Sequence, residues 1–328
     1  CTVKANECLT KPTEILFSNG RLLVSDSGND RVVMYNDAEF RPNSTGAAAD
    51  KVLIGCDNKL PNQAIDSNPI KCAFDKVFGK KDFNDFSQYN IADGSGISSL
   101  KYPTGLLIDG NDLYIADTGN HRVVKALNFA DNNQYICNES NWLTQLCRWK
   151  GLLGQENYFS RKTIQDFYNE NPNFLGGTFN NEIQNPDLMK RYFANPTKLI
   201  SYTKDEQKYI FIGSNENFEA TVGLGTKVAI KGRIIRFDGN PLEVENPICN
   251  EATFNNGFCD ATEVMGQDGF NKLVVLSGSS GGAGQYSNLG YGIEDLSDFD
   301  IVDNKMMAID SKNNHIYTWD DFINKVNN

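Results

Sequence analysis

Histidine is almost absent from this chain: His121 and His315 are the two in 328 residues. Two side chains cannot build a three-histidine zinc centre, and a serine–histidine mechanism has only these two bases to draw on. No Gly-x-Ser-x-Gly elbow presents a nucleophile. The glycine run Gly278-Ser279-Ser280-Gly281-Gly282-Ala283-Gly284 lacks the Gly-Lys-[Ser/Thr] ending of a phosphate cradle and reads as a loop. No run approaches the ~18 apolar residues that a membrane-spanning helix requires. Cations are in deficit, 31 Lys plus Arg against 42 Asp plus Glu, for a net charge of −11. A surface of that sign repels phosphate backbones, so nucleic acid is not an expected partner.

What the chain does contain is an internal repeat. Pro12-Thr13 … Leu22-Leu23-Val24-Ser25-Asp26-Ser27-Gly28-Asn29-Asp30-Arg31-Val32-Val33 returns as Pro103-Thr104-Gly105 … Leu113-Tyr114-Ile115-Ala116-Asp117-Thr118-Gly119-Asn120-His121-Arg122-Val123-Val124. Two β-rich apolar runs flank a turn reading Asp-x-Gly-Asn-x-Arg. Gly28, Asn29, Gly119 and Asn120 supply residues that tolerate positive φ. Asp26 and Asp117 can accept from the turn's own amides, with Arg31 and Arg122 in reach across a tight hairpin. These residues read as turn fasteners, not as a catalytic set.

Both copies resemble the NHL repeat, and the resemblance implies a β-propeller. Weaker copies follow Asn195-Pro196-Thr197, with Gly213 standing at the Asp position, and Asp298, with Asp310 there. The turn positions lie about 91–97 residues apart, more than the ~40–50 that one four-stranded blade needs. The expectation is therefore an all-β, single-domain propeller over residues 1–328. It has four recognisable NHL-like blade units and long inter-blade insertions at about 80–102, 155–195 and 267–297. A fifth or sixth blade near Leu273-Val274-Val275-Leu276 is the alternative. Thr163–Tyr168 and Pro186–Phe193 read as short helices, and Trp319–Val326 has helical spacing.

The eight cysteines repeat as well. Cys137/Cys147 and Cys249/Cys259 are both Cys-x9-Cys, and Cys72, Cys147 and Cys259 each stand seven residues before a glycine that closes an apolar run (Gly79, Gly154, Gly266). Val52-Leu53-Ile54-Gly55 also has the form of such a run, which leaves the face of the cysteine loops open. No pair has the Cys-x2-4-Cys spacing of zinc sites. The repeat selects the disulfides Cys1–Cys8, Cys56–Cys72, Cys137–Cys147 and Cys249–Cys259, and disulfides imply an extracytoplasmic compartment: secreted, periplasmic or cell-surface. A lipid anchor on Cys1 competes with the first pairing but would leave Cys8 unpaired. Gly154-Gln155-Glu156-Asn157-Tyr158-Phe159 is similar to a phrase of bacterial NHL-repeat proteins, which points to a bacterial source.

Sequence alone identifies no catalytic residue and no metal ligand. The NHL-related amidating lyase relies on histidine-bound zinc, which this chain cannot supply. The expected function is a non-catalytic binding or scaffold propeller engaging a protein (or glycan) partner through the insertion-bearing face. The alternative is an extracytoplasmic hydrolase or lyase using channel carboxylates, with calcium in the channel or at Asp298, Asp300 and Asp303. No other cofactor is implied. Loops on a rigid scaffold are where recognition resides, so Tyr158, Phe159, Phe167, Tyr168, Phe174, Phe179 and Tyr192 of the 155–195 insertion are the candidate partner-binding residues.

Overall fold

Short β-branched and aromatic runs broken by Gly, Asn and Asp turns form strands joined by tight hairpins. The computed structural model describes residues 9–36, 40–42, 51–53, 74–85, 87–90, 95–130, 140, 142, 144, 147–171, 174–175, 185–222, 226–242, 259–266, 274–276, 292–320 and 322–323. It is a four-bladed β-propeller.

In the first blade β1 (Pro12–Ser18), β2 (Arg21–Asp26) and β3 (Arg31–Tyr35) form a meander. A hairpin of β4 (Phe40–Pro42) and β5 (Lys51–Leu53) follows, and β6 (Lys76–Phe78) then joins β3 as the outer strand. Val52 and Leu53 thus pair with β4, and the fourth strand is the run that ends at Gly79. The second blade is β7 (Leu106–Asp109), β8 (Asp112–Asp117), β9 (Arg122–Ala126) and β10 (Gly151–Leu153). The insertion after it carries α1 (Ile164–Glu170), closed by a capping box between Thr163 and Asp166, and α2 (Pro186–Arg191), which starts on a proline.

The third blade is β11 (Pro196–Lys204), β12 (Gln207–Val222), β13 (Thr226–Asp238) and β14 (Glu263–Met265). β12 and β13 continue past Gly232 as one long hairpin. β15 (Val274–Leu276) pairs with Lys227–Ala229 of that hairpin, so this segment extends the third blade and starts no fifth one. The fourth blade has β16 (Leu296–Val302), β17 (Lys305–Asp310) and β18 (His315–Trp319) among the described residues. The tail sequence had helical spacing, but Trp319 ends a strand and Phe322 is buried in the core between the third and fourth blades.

Side-chain alternation gives each blade two apolar faces, and three inter-blade cores result. Leu23, Val32 and Met34 meet Leu113, Ile115 and Val124 between blades one and two. Tyr114, Val123 and Leu153 meet Leu199, Ile212 and Ile235 between blades two and three. Phe211, Ile234 and Met265 meet Phe299, Met306 and Ala308 between blades three and four. Among the described residues no such cluster joins blade four to blade one. Instead the facing sides expose Ile15 (71%) and Phe17 on one blade and Val302, Ile309 and Ile316 (68%) on the other.

With each blade a meander, the turns between strands two and three share a face with the inter-blade insertions. The loops joining strands three and four, which contain Cys147 and Cys259, lie on the opposite face. Those two cysteines are buried. Cys1, Cys8, Cys56, Cys72, Cys137 and Cys249 lie outside the described residues.

The three cores and the open seam predict opposite mutational costs. Ile115→Ala should destabilise by about 2–5 kcal/mol in denaturant unfolding, as a filled core position does. Ile316→Lys should change stability by no more than about 0.5 kcal/mol, the ordinary surface value. Equal costs would mean that the seam is closed in solution.

Candidate binding cleft between the second and third blades

The repeated turn gives each letter of its motif a task. Asp26 Oδ2 accepts from Arg31 Nε at 2.7 Å and from Asn29 Nδ2 at 2.8 Å, and its Oδ1 accepts from the Thr10 N–H at 2.6 Å. Asp117 does the same with Arg122 Nε (2.6 Å), Asn120 and the Lys101 N–H (2.7 Å). The carboxylate therefore binds the segment entering the blade, where the turn's own amides were expected. The arginines reach further. Arg122 donates to the carbonyls of Gly96, Ser99 and Tyr158, tying the insertions before and after its blade. Asp26, Arg31, Asp117 and Arg122 are fully buried.

The glycines also differ from expectation. The left-handed residues are Asp30 (φ 54°) and His121 (φ 56°). Gly28 is needed for close approach, since a Cβ there would lie 2.6 Å from the Thr10 carbonyl oxygen.

The hydroxyl after each aspartate latches the next blade. Thr118 Oγ1 pairs with Thr104 Oγ1 at 2.7 Å and donates to the Pro196 carbonyl at 2.6 Å. Ser27 pairs with Thr13 and donates to the Pro103 carbonyl.

The third blade builds the same device from other residues. Register places Ser214 opposite Pro196, as Asp26 is opposite Pro12. The Asp position is thus Ser214 and not Gly213. The carboxylate has moved to Glu216, within a register shift in β12. Its Oε1 accepts from the Ala194 N–H (2.8 Å), Ser214 Oγ (2.8 Å) and Arg233 Nη2 (2.8 Å). Arg233 in turn donates to the Met189 and Tyr192 carbonyls. Asn215 replaces the latching hydroxyl, donating to the Leu296 carbonyl and accepting its N–H.

The NHL repeat family model matches residues 100–126, the entry, strands and turn of the second blade. The chain is an NHL-repeat propeller. A search of curated proteins finds no match.

In this NHL propeller a cleft of about 230 Å³ opens on the insertion face, lined by His121, Thr163, Gln165, Ala194, Asn195, Glu216 and Phe218. Each wall has a local cause. His121 is the left-handed residue of the second blade's turn, and its Nδ1 accepts from the Asn195 N–H at 3.1 Å. Gln155 donates to the His121 and Lys162 carbonyls and accepts the Lys162 N–H, which brings the start of α1 over the turn. Burial holds the His121 imidazole below its ordinary value despite the nearby Glu216 carboxylate. The ring is therefore neutral at neutral pH, with its proton on Nε2. Among the described residues every donor to Glu216 goes to Oε1. The Thr163 hydroxyl is committed to Asp166. This set can bind a polar group, but it pairs no nucleophile with a base.

The candidate aromatics fall elsewhere. Tyr158, Phe174 and Tyr192 are buried, and Phe167 and Tyr168 pack half-buried against the core beside Ile164 and Met189. Their apolar area fixes the insertion to the blades. Phe159 is exposed, and Phe179 lies outside the described residues. The cleft escaped the sequence reading because Glu216 sits within a register shift, in a stretch without the Asp-x-Gly-Asn pattern. His121 filled the motif's variable position, and its left-handed backbone was the missed signal.

The central channel holds a second group of charges. Glu14, Lys198 and Asp298 each follow the bulge of an inner strand. Lys198 Nζ lies 2.7 Å from Asp298, and Glu14 Oε2 accepts the Leu106 N–H. Among the described residues no three His, Cys, Asp or Glu side chains gather as a metal site.

Burial, with Asp298 adding to it, raises Glu14 to about 7 against the opposing pull of Lys198 and the Leu106 amide. A carboxyl raised on folding binds its proton more tightly in the native state. Glu14's contribution to stability is therefore fully present below the ordinary glutamate value and is lost as pH rises through about 7. Glu14→Gln should flatten that part of the pH profile in chemical denaturation. An unchanged slope would show that Glu14 is solvated.

Proposed function

We propose that this NHL propeller is a non-catalytic, extracytoplasmic binding or scaffold protein that engages a protein (or glycan) partner through its insertion face. The observation that carries the reading is the cleft under α1, where two polar groups on a rigid frame, His121 Nε2 and Glu216 Oε2, have no hydrogen-bond partner among the described residues. Polar atoms left open in a cleft on a rigid scaffold are available to a ligand. The exposed Phe159 stands on the same insertion. The compartment follows from the cysteine repeat. Cys147 and Cys259 are buried at matching places before β10 and β14, which supports pairing with Cys137 and Cys249.

Excising 155–195 would remove Ile164, Met189 and Phe193 from the core, so the face is better tested by point labelling. A photo-crosslinking residue at Phe159 should yield an adduct with the partner, and one at Asn111, in a turn on the opposite face, should yield none. Adducts at Asn111 alone would place the partner on the wrong face for this reading. Free thiols at Cys147 and Cys259 in the native protein would remove the compartment argument.

A further inference from the structure

We propose that His121 is an acid-released latch between the second and third blades: the neutral ring holds the Asn195 N–H, and protonation lets the entry of the third blade go. The inference goes beyond the binding role and stands without it. The repeat supplies the first argument. The first three blades are each entered through a left-handed residue before a proline: Lys11, Tyr102 and Asn195. Such backbone persists where neighbouring contacts hold it. At the first junction Asp30, the left-handed residue of the preceding blade's turn, accepts the Tyr102 N–H at 2.8 Å. At the second junction His121 takes the same place, and its Nδ1 accepts the Asn195 N–H at 3.1 Å.

The two acceptors differ in chemistry. A carboxyl group keeps an acceptor oxygen whether or not it is protonated, whereas an imidazolium donates from both nitrogens and accepts nothing. A proton on His121 Nδ1 would meet the Asn195 N–H donor to donor, so the bond must break. Asn195 is placed to pass the change on. It lies between Ala194, whose N–H is held by Glu216, and Pro196, whose carbonyl takes the Thr118 hydroxyl, and it forms a wall of the cleft.

The surrounding charges decide where the ring titrates. Glu216 on β12, Asp117 at the end of β8 and Asp166 on α1 favour the protonated form, and Arg161, ahead of α1, opposes it. Lys162 pairs with Glu170 at 3.0 Å. Glu216 and Asp117 are held by Arg233 and Arg122, and Asp166 accepts from the Thr163 N–H. Burial outweighs the carboxylates and keeps the ring below its ordinary value of 6.5. The latch is shut at neutral pH and opens in acid.

The test is ¹H–¹⁵N NMR of the whole chain from about pH 8 to about pH 4.5, which spans the imidazole range. The His121 ring and the Asn195 amide should titrate together, with one midpoint below 6.5. The Asn195 amide should lose about fivefold in exchange protection, the net worth of one hydrogen bond. The Tyr102 amide, held by Asp30, should not follow. His121→Asn keeps a neutral acceptor on a residue type that tolerates the left-handed backbone, so it should keep the bond and lose the pH step. Denaturant unfolding gives the sign. The neutral ring's contribution is fully present above 6.5 and is lost as pH falls through the folded value, so the natural chain should lose stability relative to His121→Asn on acidification. The opposite slope from Glu14 is common to both proteins and cancels.

An Asn195 amide that stays put while His121 titrates would show that the bond is not made. Three other results would also overturn the proposal: a ring that takes no proton before the propeller unfolds, a Tyr102 amide that moves in the same step, or a step that persists in His121→Asn. Crosslinking at Phe159, read at neutral pH, tests the partner surface separately.

Discussion

The fold depends on a carboxylate buried beside a guanidinium at the turn of each of the first three blades. In the first two blades Asp26–Arg31 and Asp117–Arg122 join three pieces of chain: the entry segment, the turn, and the insertion beyond. Charges out of water are costly unless their hydrogen-bonding capacity is filled. Here each arginine's remaining donors meet backbone carbonyls of the insertions. That is how long irregular connections are tied to a small sheet without a core of their own.

The third and fourth blades show what can vary and what cannot. Blade three relocates the acid to Glu216 and the base to Arg233, yet the Ala194 N–H still finds its carboxylate. Where Leu296 replaces the proline at the start of an inner strand, Asn215 replaces the hydroxyl latch and uses both the carbonyl and the N–H that proline lacks. Blade four keeps Asp310 and its amide donors from Glu294 and Asn313, but has His315 where the arginine stood. Its latch residue, Ser311, turns back onto Asp295 of the same blade. The lost arginine, the lost latch and the exposed apolar faces of Ile309 and Ile316 all occur on the side of the fourth blade that looks toward the first.

Much of this architecture was legible from residue order alone. The duplicated turn gave the blade, its boundaries and the strand pairing, because Asp, Gly, Asn and Arg are constrained by local geometry. A capping hydroxyl at Thr163 or Ser160 and the proline at 186 placed both helices for the same reason. Tertiary exchange was not legible. Glu216 does the work of an aspartate two positions away only because a register shift turns it inward. The aromatics of the 155–195 insertion read as a surface because their neighbours are polar. The packing that buries Tyr158, Phe174 and Tyr192 comes from β-strands far along the chain. His121 looked incidental in a variable position, although its neighbours across the blade interface make it one wall of the cleft.

The cleft inherits its rigidity from the same fastener, since Glu216 is at once the third blade's carboxylate and the cleft's acceptor. If these carboxylates organise the blades, the backbone amides they bind must open only when the propeller does. Native-state hydrogen exchange of the Lys101 and Ala194 amides measures this directly. Both should exchange with the free energy of global unfolding, as core strand amides do. Exchange of either amide at loop-like rates, while β8 and β12 stay protected, would contradict the account.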